Sequence, residues 1–164
     1  MAADIVRDAG GEVVGRTRLQ KIAYFLEVSG LGDGFAFEYR HYGPYSEGLA
    51  DACQLADILG VVDEIEHQAS WGGTYSIYRA TSGSERKPNK ARVELAMLAR
   101  KADPIELELA ATAAFLNAEG VPDPWAETAE RKPRKAADGR LEKAKILYES
   151  LRQIQTPMPL PIIK

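Results

Sequence analysis

GRTRLQKIAYFLEVSG (residues 15–30) and FAFEYRHYGPYSEGLADACQLADILGVVDE (residues 35–64) carry in close succession a helix, an aromatic strand, a sharp break and a second helix. In the first segment Leu19, Ile22, Ala23 and Leu26 recur at the spacing of one helical face. Thr17 predicts the N-cap, with Gln20 three residues on completing a capping box, and Gly30 predicts the stop. Residues 35–41 then alternate Phe35, Phe37, Tyr39 and His41 against Ala36, Glu38 and Arg40, the period of a strand. Gly43-Pro44 predicts a turn that ends it. Ser46 is placed to cap a helix with Leu49, Ala52, Cys53, Ala56 and Leu59 on one face, closed by Gly60.

Upstream, residues 2–9 predict a short helix broken at Gly10-Gly11. Downstream, the β-rich runs 61–67 and 74–81 predict a hairpin, with Trp71 in its connection. Residues 82–90 (SGSERKPNK) form a polar connector. Helical patterns occur beyond it at 91–101, at 104–119 behind an Asp103-Pro104 start, from Asp123-Pro124 to about residue 130, and at 141–154. Three alternating prolines bar helix and ladder from the tail, 156–164. The expected fold is α+β, mostly α. A winged-helix-like part with its β-hairpin (1–81) leads through the connector to a helical C-terminal subdomain (91–155) and an extended Pro-rich tail (156–164).

The bulk composition limits function. With 45% hydrophobic and 27% charged residues in 164, the chain has the make-up of an ordinary globular protein. No apolar run approaches a membrane span, and the first residues lack a secretory h-region, so the expectation is a cytoplasmic protein with no membrane partner. The single cysteine, Cys53, fits a reducing compartment. It falls on an apolar stripe, which suits a buried hydrophobe better than a nucleophile. His41 and His67 have no neighbours at metal-ligand spacing, and Gly30, Gly32 and Gly34 lie between a helix and a strand, the wrong order for a phosphate cradle. The expectation is therefore no catalytic, metal or cofactor site. A cluster of His67, an acid and Cys53 in one cleft would be the mark of a hydrolase.

Charge separates nucleic acid from protein as the partner. The candidate recognition helix and the strand after it hold Glu47, Asp51, Asp57, Asp63, Glu64 and Glu66 with no Lys or Arg, which argues against duplex DNA. Positive charge collects instead in residues 79–101 and 131–145, each with seven basic residues against two acids. The cluster Arg131-Lys132-Pro133-Arg134-Lys135 could hold RNA or an acidic partner, the plainer alternative being solvated helix ends. Tyr24, Tyr39, Tyr42, Tyr45, Phe35 and Phe37 gather around one turn, either as core or as an anchoring surface. The candidate partner-binding patch is Gln20, Lys21, Tyr24, Tyr42, Gly43, Pro44, Tyr45 and Ser46.

The runs Leu19-Gln20-Lys21-Ile22-Ala23-Tyr24 and Gly43-Pro44-Tyr45-Ser46, with Gly60-Val61-Val62-Asp63-Glu64 after them, resemble the Panacea (SocA-like) domain family. They are also similar to the related YwgA-like bacterial proteins. The resemblance covers the first half of the chain. It extends more loosely to residues 106–125 and to Arg131-Lys132-Pro133. It implies an antitoxin-type protein without enzyme activity that neutralises a cognate toxin by direct contact. A SocA-like member acts as a proteolytic adaptor to a AAA+ protease, so such a protease is a second implied partner. The alternative is a winged-helix transcriptional regulator that binds nucleic acid.

Overall fold

Seven helices and five short strands succeed one another in the residues that the computed structural model describes, 1–81 and 86–164. Residues 82–85, the first part of the expected connector, lie outside them. The order is α1 (Ala2–Asp8), β1 (Glu12–Val14), α2 (Arg16–Val28), β2 (Glu38–Arg40), β3 (Gly43–Tyr45), α3 (Glu47–Ile58), β4 (Val62–Gln68), β5 (Thr74–Ala80), α4 (Lys90–Lys101), α5 (Pro104–Ala118), α6 (Pro124–Arg131) and α7 (Arg140–Arg152). The class is α+β.

Local signals account for most helix starts. Ser46 Oγ accepts from Leu49 N at 3.1 Å, Asp103 accepts from Ile105 N and Glu106 N, and Asp123 accepts from Ala126 N. The start of α2 differs from the sequence expectation. Gly15 is its N-cap and no side chain caps it, so Thr17 sits inside the first turn, half-buried, and the Thr17–Gln20 capping box does not form. The reason lies in tertiary structure. Gly15 N donates to Ser76 O on β5, which fixes the chain before Thr17 is reached.

β4 and β5 form the expected hairpin, with Ile65 opposite Ile77. β1, absent from the sequence reading, adds to the other side of β5 with Val13 opposite Tyr78, giving a three-stranded antiparallel sheet ordered β1-β5-β4. The aromatic strand is shorter than expected, and Gly43-Pro44 is not a turn. Both residues belong to β3, which pairs back on β2 with Arg40 opposite Gly43 and Tyr39 opposite Pro44. The turn is therefore His41-Tyr42. Pro44 is tolerated because this ribbon has only two strands, so no ladder loses a donor in its interior.

The core is continuous from Ala2 to Leu160. α5 supplies its axis, with Leu107, Leu109, Ala110, Ala111 and Ala113 inaccessible to solvent. α2 is buried on every side from Leu19 to Leu26 rather than along one stripe. On α3 the buried face is Leu49, Cys53 and Ala56, whereas Leu59, expected to continue it, is exposed. Trp125 is core and Trp71 is solvent-exposed at the hairpin tip. Arg92, the largest side chain buried below 2% exposure, binds Asp8, the Leu31 carbonyl (2.6 Å) and Asp33 (3.0 Å), joining α4 to α1 and to the segment after α2. The tail is extended and lies against the body: Met158 N donates to Ser29 O, Tyr148 Oη to Pro161 O, and Leu160 is buried.

Candidate functional site

The β2–β3 ribbon is fastened to α2 by two buried side chains adjacent in sequence. The Gln20 amide makes a reciprocal pair with the backbone of Ser46: Nε2 donates to Ser46 O at 2.9 Å and Ser46 N donates to Oε1 at 2.8 Å. Ser46 is thereby fixed at the one position from which its hydroxyl can cap α3. Lys21, 1% exposed, donates from Nζ to Pro44 O at 2.8 Å. The two motif halves of the sequence are thus one assembly of contacts, about α2, the ribbon and the start of α3.

A second set of groups meets the ribbon at its turn. Glu108 on α5 is buried and accepts from Lys132 Nζ at 2.9 Å and from Lys135 Nζ at 2.8 Å. Lys132 Nζ also donates to His41 O at 3.1 Å. Three ammonium groups, those of Lys21, Lys132 and Lys135, thus share the field of one carboxylate. Burial pushes the Lys21 amine down to about 7; Glu108 opposes that shift, and repulsion from Lys132 and Lys135 adds to it. One turn beyond Glu108, the buried Thr112 hydroxyl has no hydrogen-bond partner among the described residues. It lies so close to Gly43 (φ +89°) that a Cβ there would stand 2.6 Å from Thr112 Oγ1.

Of the eight residues of the candidate patch, Gln20, Lys21, Tyr24, Gly43, Pro44 and Ser46 are buried, Tyr45 is half-buried and Tyr42 is exposed. The structure brings all but Tyr24 together around the ribbon. Tyr24 points into an aromatic cluster with Phe25, Phe37 and Phe115. Cys53 lines a recess of about 300 Å³ with Glu64 and Tyr78, and burial followed by the Glu64 charge pushes its thiol up to about 12. His67 does not line that recess; it stacks on Tyr75 farther along the hairpin.

Two surfaces escape the sequence reading or are only half seen in it. On α3 the outward stripe runs Glu47, Asp51, Leu55, Ile58, Leu59, acidic at the helix start and aliphatic at its end. Leu55, Ile58 and Leu59 are 56%, 74% and 66% exposed. The signal is present, because Leu55 and Ile58 fall on the face opposite Leu49 and Cys53. The second surface is a groove of about 770 Å³ between the β2–β3 ribbon and residues 131–135. Arg40, Arg131, Lys132, Arg134 and Lys135 line it together with Tyr39 and His41, and no carboxylate among the described residues does. The Arg131 guanidinium lies 4.9 Å over the Tyr39 ring and Lys135 Nζ 4.8 Å over that of Tyr42. Glu108 is absent from the sequence expectations, although an acid between Leu107 and Leu109 in a nearly all-apolar helix is itself a sign that a buried cation must be near.

Among the described residues no helix is long and apolar enough to cross a membrane. No family model matches the chain, and no significant match was found among curated proteins or among solved structures.

Proposed function

We propose that this chain is a protein-interaction module of antitoxin type, which neutralises a protein toxin by direct binding. The observation that carries the reading is the exposed aliphatic stripe Leu55-Ile58-Leu59 on α3, continued by Glu47 and Asp51. Three large apolar side chains at i, i+3 and i+4 on the outside of a helix leave water only when a partner covers them. The acids at the other end of the stripe select a partner that is basic beside its apolar face. The antitoxin assignment itself rests on the resemblance to the Panacea family, which also makes a AAA+ protease a second partner if the protein is a proteolytic adaptor. A cytoplasmic location goes with that assignment.

The element order α2, α3, β4–β5, with β1 beside the hairpin, supports a winged-helix arrangement in which α3 holds the recognition position. A winged-helix regulator of transcription would need cations there. α3 contains no Lys or Arg, so the same position suits a protein surface better than a DNA groove.

The test is co-expression with the product of each gene that flanks this one. Rescue of growth by this protein, and co-purification of the pair, are expected. The double substitution Leu55→Asp/Ile58→Asp should weaken the complex by about 2 kcal/mol or more while melting as the parent does. A double variant that binds the toxin unchanged would remove α3 as the docking helix.

A further inference from the structure

We propose that the groove between the β2–β3 ribbon and residues 131–135 binds single-stranded nucleic acid through its phosphodiester backbone. The groove meets the acidic start of the α3 stripe through the Arg40–Glu47 ion pair, whereas its other cations lie on residues 131–135, and the inference stands apart from the antitoxin reading.

Charge comes first. Five cations line the groove without a carboxylate among its lining residues. Arg40 is held by Glu38 and Glu47, and Arg131 by Glu127, so these two are partly neutralised at the rim. Lys132 and Lys135 share the single carboxylate of Glu108, and Lys21 lies within the same field. Arg134 has no carboxylate at ion-pair distance among the described residues. Lys132, Arg134 and Lys135 therefore bring three positive charges against one negative, in a protein whose formal net charge is −3. A local excess of this sign, built over a buried carboxylate that holds two of its ammonium groups in place, is a preformed seat for an anion.

The rings choose among anions. Tyr39 and His41 line the groove and Tyr42, 52% exposed, stands at its edge, edge-on to His41 with centroids 4.8 Å apart. The Arg131 guanidinium already covers Tyr39, and Lys135 covers one face of Tyr42. An acidic peptide would use the cations and leave the rings idle. A single strand uses both, its phosphates on Arg134 and Lys135, with the buried Lys132 ammonium adding its field from behind them, and its unstacked bases on His41 and Tyr42. Paired bases in a duplex have no free face to offer these rings.

The experiment measures fluorescence anisotropy of labelled oligouridylate and oligothymidylate, each of about twelve nucleotides, titrated with the whole protein. Both should bind, and whichever binds more tightly identifies RNA or DNA as the natural strand. With two phosphates neutralised, log K should fall with log salt at a slope of about −1.4. Arg134→Glu, at an exposed position with no ion pair to break, should lower the affinity at least tenfold. Tyr42→Ala should lower it several-fold. Circular dichroism melts of both variants should match the parent. An oligoglutamate of equal length that displaces the strand at equal concentration would make this an acidic-peptide site and overturn the proposal. So would the absence of oligonucleotide binding at low salt, or binding indifferent to Arg134→Glu.

Discussion

Replacing Gln20 by Met keeps the side chain's length and apolar stem and deletes only its amide. Two bonds disappear, at 2.9 and 2.8 Å, both to the backbone of Ser46 and both buried. The Ser46 carbonyl keeps a partner, because Ala50 N also donates to it at 3.2 Å. The Ser46 N–H has no substitute. A buried donor left unsatisfied costs about 1–3 kcal/mol and the second bond about 1 kcal/mol, so the expected loss is about 2–4 kcal/mol. For a domain of this size that is a fall in Tm of roughly 4–16 °C. Urea denaturation, with m unchanged, gives the free energy directly. The companion variant is Thr17→Ala, which should stay within about 0.5 kcal/mol of the parent because Thr17 caps nothing. A capping box between the two residues would reverse the ranking, with Thr17→Ala costing about 1 kcal/mol. If Gln20→Met melts within about 0.5 kcal/mol of the parent, the Gln20–Ser46 clasp is not a determinant of this fold.

Lys21 loses its proton near pH 7 in the folded protein, whereas an unfolded chain keeps it until about pH 10.4. Between those values the unfolded state binds more protons, so raising pH favours the fold, by at most about 1.4 kcal/mol per pH unit. The stability of the parent minus that of Lys21→Met should therefore grow from pH 7 to about pH 9, below the ordinary tyrosine range; a difference that is flat across that window, measured by chemical denaturation, would show a charged Lys21. Gly43→Ala forces a side chain into the left-handed region at φ +89° and against Thr112 Oγ1, a loss of about 1–3 kcal/mol. Pairing it with Thr112→Ala should restore part of that loss in thermal melts, and no restoration would mean that the two residues do not touch.

The helices are legible in sequence because their signals are local. Ser46, Asp103 and Asp123 each cap a helix that begins at the very next residue, and Pro104 and Pro124 stand at first-turn positions. β1 is not legible, since three residues between glycines become a strand only when β5 arrives to pair with them. Gly43-Pro44 misleads for the same reason. Its turn chemistry is real in isolation, and the pairing with β2 and the Lys21 contact override it. At the candidate site the residues singled out for partner contact do gather around one ribbon, yet most of them turn inward. Gln20 and Lys21 meet partners 26 and 23 residues away, distances over which periodicity carries no information. The α3 stripe is legible in plain i, i+3, i+4 spacing opposite Leu49 and Cys53, but whether another element of the fold covers that face is decided only by the tertiary structure.

Arg92 has a bearing on how the chain acquires its shape as it is made. Its guanidinium is the partner of Asp8 and Asp33, which precede it by 84 and 59 residues. Until residue 92 has emerged, α1 and the segment after α2 have two carboxylates and a carbonyl waiting for a group that does not yet exist. The first third of the chain can form its helices early, but the buried clasp that ties α1 and the segment after α2 to α4 is not yet available to it. Final locking of the N-terminus is thus deferred to the synthesis of α4, a long-range step whose cost rises with the loop it must close. Until then α1 has α2, α3, β1 and β5 to pack against but lacks the anchor that joins Asp8 to α4.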